Sequence, residues 1–185
     1  ASLACAPLRA APAATLRRGG GRWLDDLGLP RPPPGVWSTV RDELIDARPD
    51  AAPELRWRGA RVRRHRDRLP ADPGTGQRVP EAVAWQGTAP LAWAGQTLAF
   101  DPPLREPHAF VVRPRAGGET ILQRGHHRSV KKLLHACGLP GWERARLPLV
   151  FDDAGALCAV GAGWLSDDFA HWAQARGVRL CLSPG

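Results

Sequence analysis

The side chains best equipped for chemistry in this sequence are cationic. Arg124, Arg128, Lys131, Lys132, Arg144 and Arg146 fall within one short segment, with His126, His127 and His135 among them and Glu143 the only acid. Such groups hold phosphates; alone they break no bonds. A second cluster comprises Arg56, Arg58, Arg61, Arg63, Arg64, Arg66 and Arg68, with Asp67 the only acid among them. Charges of one sign this close repel unless an anion lies nearby. The plain alternatives are a solvated helix face for the first cluster and a polar sheet edge that blocks aggregation for the second.

Residue patterns that would support catalysis are missing. His126-His127 has no Cys, Asp or Glu at metal-ligand spacing, which makes it a loop or phosphate-contacting pair. A thiol hydrolase built on Cys137 and His135 is disfavoured, because residues two apart on a helix do not face each other. The cysteines Cys5, Cys137, Cys158 and Cys181 form no CxxC pair, so neither zinc nor a dithiol redox site is expected. Cys137 and Cys158 sit in apolar patterns and are expected to be buried, in a reduced, cytoplasmic protein. The sequence contains no GxxxxGK[ST], no GxGxxG after a strand and no GxSxG. Gly19-Gly20-Gly21 lacks the Lys-Ser/Thr of a phosphate loop. No catalytic, cofactor or metal residue is expected in this chain.

The chain has 185 residues, 43% of them hydrophobic, enough to bury one core of ordinary size or two small ones. Its 26 basic and 18 acidic residues give a net charge of +8, which favours polyanionic partners. Only Lys131 and Lys132 are lysines, and the preference for Arg follows equally from codon bias in a GC-rich genome. Placement, not residue type, therefore points to phosphate. Most of the excess charge falls in residues 1–75 and 105–150. The chain begins Ala1-Ser2-Leu3 and has no Met, as expected of a segment of a longer protein or of a chain that has lost its first residue. Its opening apolar runs are broken by Pro7, Arg9 and Pro12, unlike a signal peptide. No apolar run approaches the roughly 18 residues of a membrane span, and no membrane partner is expected.

The elements that must position the charges are legible in outline. Leu16, Gly20, Trp23, Leu24 and Leu27 share helical spacing, ended by Gly28 and Pro30; the glycine triplet weakens that helix by about 1 kcal/mol per Gly. After the stiff Pro32-Pro33-Pro34, a second helix carries Val36, Trp37, Val40 and Leu44 on its apolar face. Gly59 then separates two short runs that read as a hairpin. Short strands are expected between Val79 and Phe100, and two more, Ala109–Arg113 and Thr120–Arg124, joined across Gly117-Gly118. Ser129 is a candidate N-cap for a helix with Val130, Leu133, Leu134 and Cys137 on one face and Lys131, Lys132 and His135 opposite. Gly138 and Pro140 end it, and its amino end would offer N–H groups to a phosphate. Trp142 is either a core residue or a surface for stacking on a base. Asp152-Asp153 is expected to turn between strands Leu149–Phe151 and Leu157–Val160, and Asp167-Asp168 to cap a helix.

The stretch RSVKKLLHACGLPGWERARLPLVFDDAGALCAVGAGW, Arg128 to Trp164, resembles the C-terminal domain of the tRNA(Ile)-lysidine synthetase family. It has the family's KKL helix at Lys131-Lys132-Leu133, its G-hydrophobic-P-x-W-x-R turn at Gly138 to Arg144, its strand at Pro148-Leu149-Val150, an acidic turn, and a final strand from Ala159 to Trp164. Upstream, LRRGGGRWLDDLGLPRPPP and the Arg63-Arg64-His65-Arg66 strand end resemble the family's small substrate-binding domain, with the glycine triplet as a departure from its LRRWL helix. The resemblance is weakest over 70–105.

It implies an α+β fold: a small helical domain with a basic hairpin over 1–75, a linker or leading strands over 76–106, and a small mixed α/β C-terminal domain over 107–185. It further implies a ligase that uses ATP and Mg to adenylate the wobble cytidine of tRNA(Ile) and attach lysine. That chemistry would sit in an N-terminal ATP-pyrophosphatase domain with an SGGxDS loop, which these residues do not contain. The chain would then hold the tRNA body and acceptor stem, using Arg124, Arg128, Lys131, Lys132, Arg144 and Arg146, and also Arg63, Arg64 and Arg66. A general RNA-binding module is the alternative.

Overall fold

The computed structural model describes residues 2–48, 51, 53–74 and 78–184. The architecture is α+β, and every strand pair among these residues is antiparallel. The chain divides into two compact units, Ala1–Gly76 and Gln77–Gly185.

In the first unit, β1 (Ser2–Ala4), α1 (Cys5–Arg9) and α2 (Ala13–Asp26) lead into α3 (Val36–Thr39), which continues as a π-helical turn over Val40–Ile45. β2 (Glu54–Trp57), β3 (Ala60–Arg63) and β4 (Arg68–Asp72) follow, in a sheet ordered β1-β4-β3-β2. The Gly59 hairpin is formed: Trp57 pairs with Ala60, and Gly59 has φ +81°, which its missing Cβ permits. Leu16 and Leu24 of α2 join Val40, Leu44 and Ile45 against Val62 and Leu69 of the sheet.

The glycine triplet has a packing role rather than a weakening one alone. A Cβ on Gly20 would sit 2.3 and 2.4 Å from two ring carbons of Trp37, so Gly20 is where α3 lies against α2. Gly21 faces the Arg31 side chain at 3.4 Å. Gly19 meets nothing within 4 Å. The helix gives up propensity at Gly20 to let a large aromatic ring approach its backbone.

The second unit contains β5 (Val83–Trp85), β6 (Leu91–Trp93), β7 (Gln96–Asp101), β8 (Phe110–Arg113), β9 (Thr120–Gln123) and β10 (His126–Ser129). Then come α4 (Val130–Ala136), α5 (Gly141–Arg146), β11 (Leu149–Asp152), β12 (Leu157–Val160), β13 (Trp164–Leu165), α6 (Asp167–Ala175) and β14 (Arg179–Pro184). Its sheets are ordered β13-β12-β11-β8-β5 and β14-β7-β6, with a separate β9–β10 hairpin. The strands over 83–101 thus belong to this unit, through β5 pairing with β8 and β7 with β14. Trp85, Phe100, Phe110 and Phe169 form an aromatic core, and Ile121, Val130, Leu134, Leu149 and Val160 a second one beneath the hairpin and α4.

Two expectations are corrected. Strands β8 and β9 follow one another but do not pair; β8 lies between β11 and β5, and β9 pairs instead with β10, a stretch read as a loop before the helix. Cys137 is exposed rather than buried; it is the C-cap of α4, one residue beyond the last helical residue Ala136. Cys158 is buried as expected, and that burial pushes its thiol up to about 12.

Gly20→Ala should destabilise the first unit by about 1–3 kcal/mol through overpacking against Trp37, whereas Gly19→Ala should stabilise it by about 1 kcal/mol. Urea unfolding of the two variants reads the opposite signs. Iodoacetamide at neutral pH should label Cys137 and leave Cys158 unmodified in the folded chain, as peptide mass analysis would show.

Candidate nucleic-acid interface

The basic segment is carried by three consecutive elements: the β9–β10 hairpin, α4 and α5. Register pairs His126 with Gln123, His127 with Leu122, Arg128 with Ile121 and Ser129 with Thr120. Ile121 is fully buried beneath the hairpin, with Val130, Leu133 and Leu134 of α4. Arg124, His126, His127, Arg128, Lys131, Lys132 and His135 are all exposed. No salt bridge holds Arg124, Arg128, Lys131 or Lys132 among the described residues.

The turn at the hairpin tip is built with care. Arg124 has φ +52° and Gly125 φ +72°, the pattern of a two-residue turn whose central residues are both left-handed. The Arg124 N–H donates to Asp167 Oδ1 at 2.8 Å, and the Gly125 N–H to Asp167 Oδ2 at 2.9 Å. These two donors, Gly125 first, hold the Asp167 carboxyl below the usual carboxylate range. Gln123 Nε2 donates to the Leu165 carbonyl at 2.9 Å.

The start of α4 differs from the expectation. Ser129 occupies the N-cap position, but its side chain makes no capping hydrogen bond, and the Val130 N–H donates to the Glu119 carbonyl at 3.0 Å. The Val130 N–H is thus engaged within the fold, while the cationic side chains of α4 remain exposed. Arg144 and Arg146, on the last turn of α5, are half-buried. The Arg146 carbonyl accepts from Trp93 Nε1 at 2.8 Å, which fastens α5 to β6. Trp142 is half-buried as well. Behind β10, His127 reaches a concavity of about 760 Å³, also lined by Arg113, Phe151, Asp168 and Trp172. Arg113 stacks over Phe151, 4.1 Å from the ring centre.

In the first unit the arginine cluster is divided. Arg66 is exposed, but Arg63 and Arg64 are 3% and 2% exposed. Arg64 Nη1 reaches the carbonyls of Leu44, Ile45 and Ala47 at 3.0, 2.7 and 2.7 Å, and Nε that of Arg66 at 2.9 Å. The first two end the π-helical turn, so Arg64 supplies donors to carbonyls at that helix end, sharing the Ile45 carbonyl with Arg9 Nε at 3.2 Å. Arg63 bridges Asp72 and Glu54, the latter at 3.3 Å, and Arg61 meets Asp72 at 2.7 Å. Burial lowers the Arg63 pKa, and Asp72 opposes that shift. Arg63 and Arg64, expected to grip phosphate, are thus buried with these donors engaged inside the fold.

Sequence reading passed over another set. Arg17, Arg18 and Arg22 are exposed along α2, opposite buried Leu16, Gly20 and Leu24. Arg18 and Arg22 line a shallow cleft with Thr15, Gly19, Asp25 and Arg31. The i, i+4 spacing of Arg18 and Arg22 was the available signal. Among the described residues, no group of three or more His, Cys, Asp or Glu could hold a metal ion. No helix among these residues is long and apolar enough to cross a membrane.

Comparison with known proteins matches residues 3–69 to the family model described as the TilS substrate binding domain, and residues 110–182 to that described as the TilS substrate C-terminal domain. A tRNA(Ile)-lysidine synthase of Methylococcus capsulatus is 32% identical over 162 residues, covering 80% of this chain and 37% of the relative. One from Xylella fastidiosa (strain Temecula1) is 34% identical over 170 residues, covering 85% of this chain and 38% of the relative. The chain thus spans little more than a third of the length of these relatives. A crystal structure of the TilS C-terminal domain aligns with a TM-score of 0.43 at 21% identity, covering 56% of this chain and 98% of that one.

Arg64→Ala should destabilise the first unit by about 3 kcal/mol, because the hydrogen bonds of a buried guanidinium to the Leu44, Ile45 and Ala47 carbonyls are lost, whereas Arg66→Ala should change stability by no more than about 0.5 kcal/mol. Chemical denaturation of both variants separates the scaffold arginine from the exposed one.

Proposed function

Because the chain belongs to the tRNA(Ile)-lysidine synthase family, we propose that it is the tRNA-gripping portion of such an enzyme. It holds the body and acceptor stem of tRNA(Ile), in the cytoplasm. The ATP-dependent attachment of lysine to the wobble cytidine is the work of an ATP-pyrophosphatase domain outside these residues, which binds the ATP and Mg. The observation that carries this reading is the set of exposed cations Arg124, Arg128, Lys131 and Lys132, free of salt bridges among the described residues, on elements whose apolar residues Ile121, Val130, Leu133 and Leu134 are buried.

The mode of contact follows from the side chains. Exposed guanidinium and ammonium groups along a hairpin and helix suit phosphate and 2′-OH contacts on an RNA helix, with little reading of base edges. Arg144 and Arg146 extend the set at α5. In the first unit, Arg66 and the α2 residues Arg17, Arg18 and Arg22 supply a second contact, in place of Arg63 and Arg64, whose donors are engaged inside the fold.

Titration of the chain against a tRNA(Ile) transcript should give a log–log salt slope of roughly −4, corresponding to about five neutralised phosphates. Lys131→Glu with Lys132→Glu should weaken binding strongly without lowering the melting temperature. Unchanged affinity would remove that face from the interface. Equal affinity for bulk tRNA would favour the general RNA-binding module.

A further inference from the structure

Arg124 is an unusual occupant of its position. A two-residue turn with both central residues at positive φ favours Asn-Gly or Asp-Gly, because an ordinary L side chain is strained there. This turn is Arg124-Gly125, with Arg124 at φ +52°. The strain is held from outside the hairpin. One carboxylate, Asp167, accepts from both N–H groups of the turn, at 2.8 and 2.9 Å, across more than forty residues of sequence. Asp167 is not needed as the cap of α6. That role belongs to Ser166, whose Oγ accepts from the Phe169 N–H at 3.2 Å. Gln123, one residue before the turn, is tied to the Leu165 carbonyl on the same side. The tip of the hairpin is therefore anchored to the β13–α6 corner at three points, while the Arg124 side chain remains exposed.

Resting on the tRNA-gripping function above, we propose that Asp167 is a positioning residue for RNA binding. It fixes the Arg124 backbone in its left-handed conformation, so that the guanidinium stands preset as part of the exposed set with Arg128, Lys131 and Lys132. Presetting matters because a free Arg side chain and a free turn would both lose entropy when a phosphate arrives. The latch also limits the cost of placing an acid beside a phosphate site. Both Asp167 oxygens are occupied by backbone donors, which draw its charge toward the turn.

The two possible roles of Asp167 predict opposite signs. If Asp167 were only a surface acid, its removal would make the basic face more positive and tighten RNA binding. If it positions Arg124, its removal weakens binding, by roughly tenfold, the low end of what one charge-assisted hydrogen bond contributes. The experiment is a double-mutant cycle on the chain with an unmodified tRNA(Ile) transcript, using Asp167→Ala, Arg124→Ala and both together. Amide hydrogen exchange at Arg124 and Gly125 reads the latch without RNA. The expected result is loss of protection at those two amides in Asp167→Ala, weaker binding, and no further loss when Arg124→Ala is already present. If Asp167→Ala lowers the melting temperature enough to unfold the chain, Asp167→Asn carries the same cycle, since its amide can accept only one of the two N–H bonds well. Equal or tighter binding by the Asp167 variant overturns the proposal and leaves the tRNA-gripping reading standing. So does an undiminished effect of Asp167→Ala in the Arg124→Ala background. A wild-type chain that binds no tRNA overturns both.

Discussion

A guanidinium keeps its charge at any pH at which a protein folds, so each arginine must be solvated, paired or supplied with acceptors. That requirement sorts the cations of this chain. Arg61 and Arg63 lie on β3, between β4 and β2, and are covered by Asp72 and Glu54 from the flanking strands. Arg64 sits one residue beyond β3 and supplies donors to the carbonyls of Leu44, Ile45 and Ala47. Once these obligations are met, Arg17, Arg18, Arg22, Arg48, Arg58 and Arg66 are among the arginines that remain exposed in the first unit. In the second unit, Glu119 draws in Arg113 and Arg115, while Arg124, Arg128, Lys131 and Lys132 face water. The surface left for an anion is what folding has not used.

Local periodicity made part of this legible. The face of α4 could be read from Val130, Leu133 and Leu134, because helical spacing directly sets what is buried. The hairpin at Gly59 and the acidic turn between β11 and β12 could be read because turn chemistry is local. Burial of Arg63 and Arg64 could not, because strand alternation says which residues share a face and not what lies over it. All four residues of β3 are buried, and the acceptors that meet Arg63 and Arg64 come from other elements: Glu54, Asp72 and the carbonyls of Leu44, Ile45 and Ala47. The partner of β9 was hidden for the same reason, since pairing to β10 or to β8 depends on tertiary packing. Cys137 was misplaced because it falls at the C-cap of α4, where helical spacing alone does not say whether another element covers the side chain.

The glycine triplet shows how a local rule can be correct and still mislead. Three glycines do lower helix propensity, but Gly20 is the only residue type that lets the Trp37 ring lie at that distance from the α2 backbone. The first unit is small, and aromatic area buried against bare backbone adds to a core of modest size. Family resemblance marked the triplet as a departure; packing supplies its reason.

The pairing of β14 with β7 bears on how the second unit comes to exist during synthesis. Arg179 lies opposite Asp101, 78 residues away, and the register runs on to Pro184 opposite Gln96. The β6–β7 ribbon therefore leaves the ribosome with one edge unpaired and waits while everything from β8 to α6 is made. A strand edge left open through so long an interval exposes backbone donors and acceptors to the wrong partners. The alternative is for the hairpin and α4 to condense first on β11 and β12, whose contacts are nearer in sequence, and for β14 to close the unit as its last step.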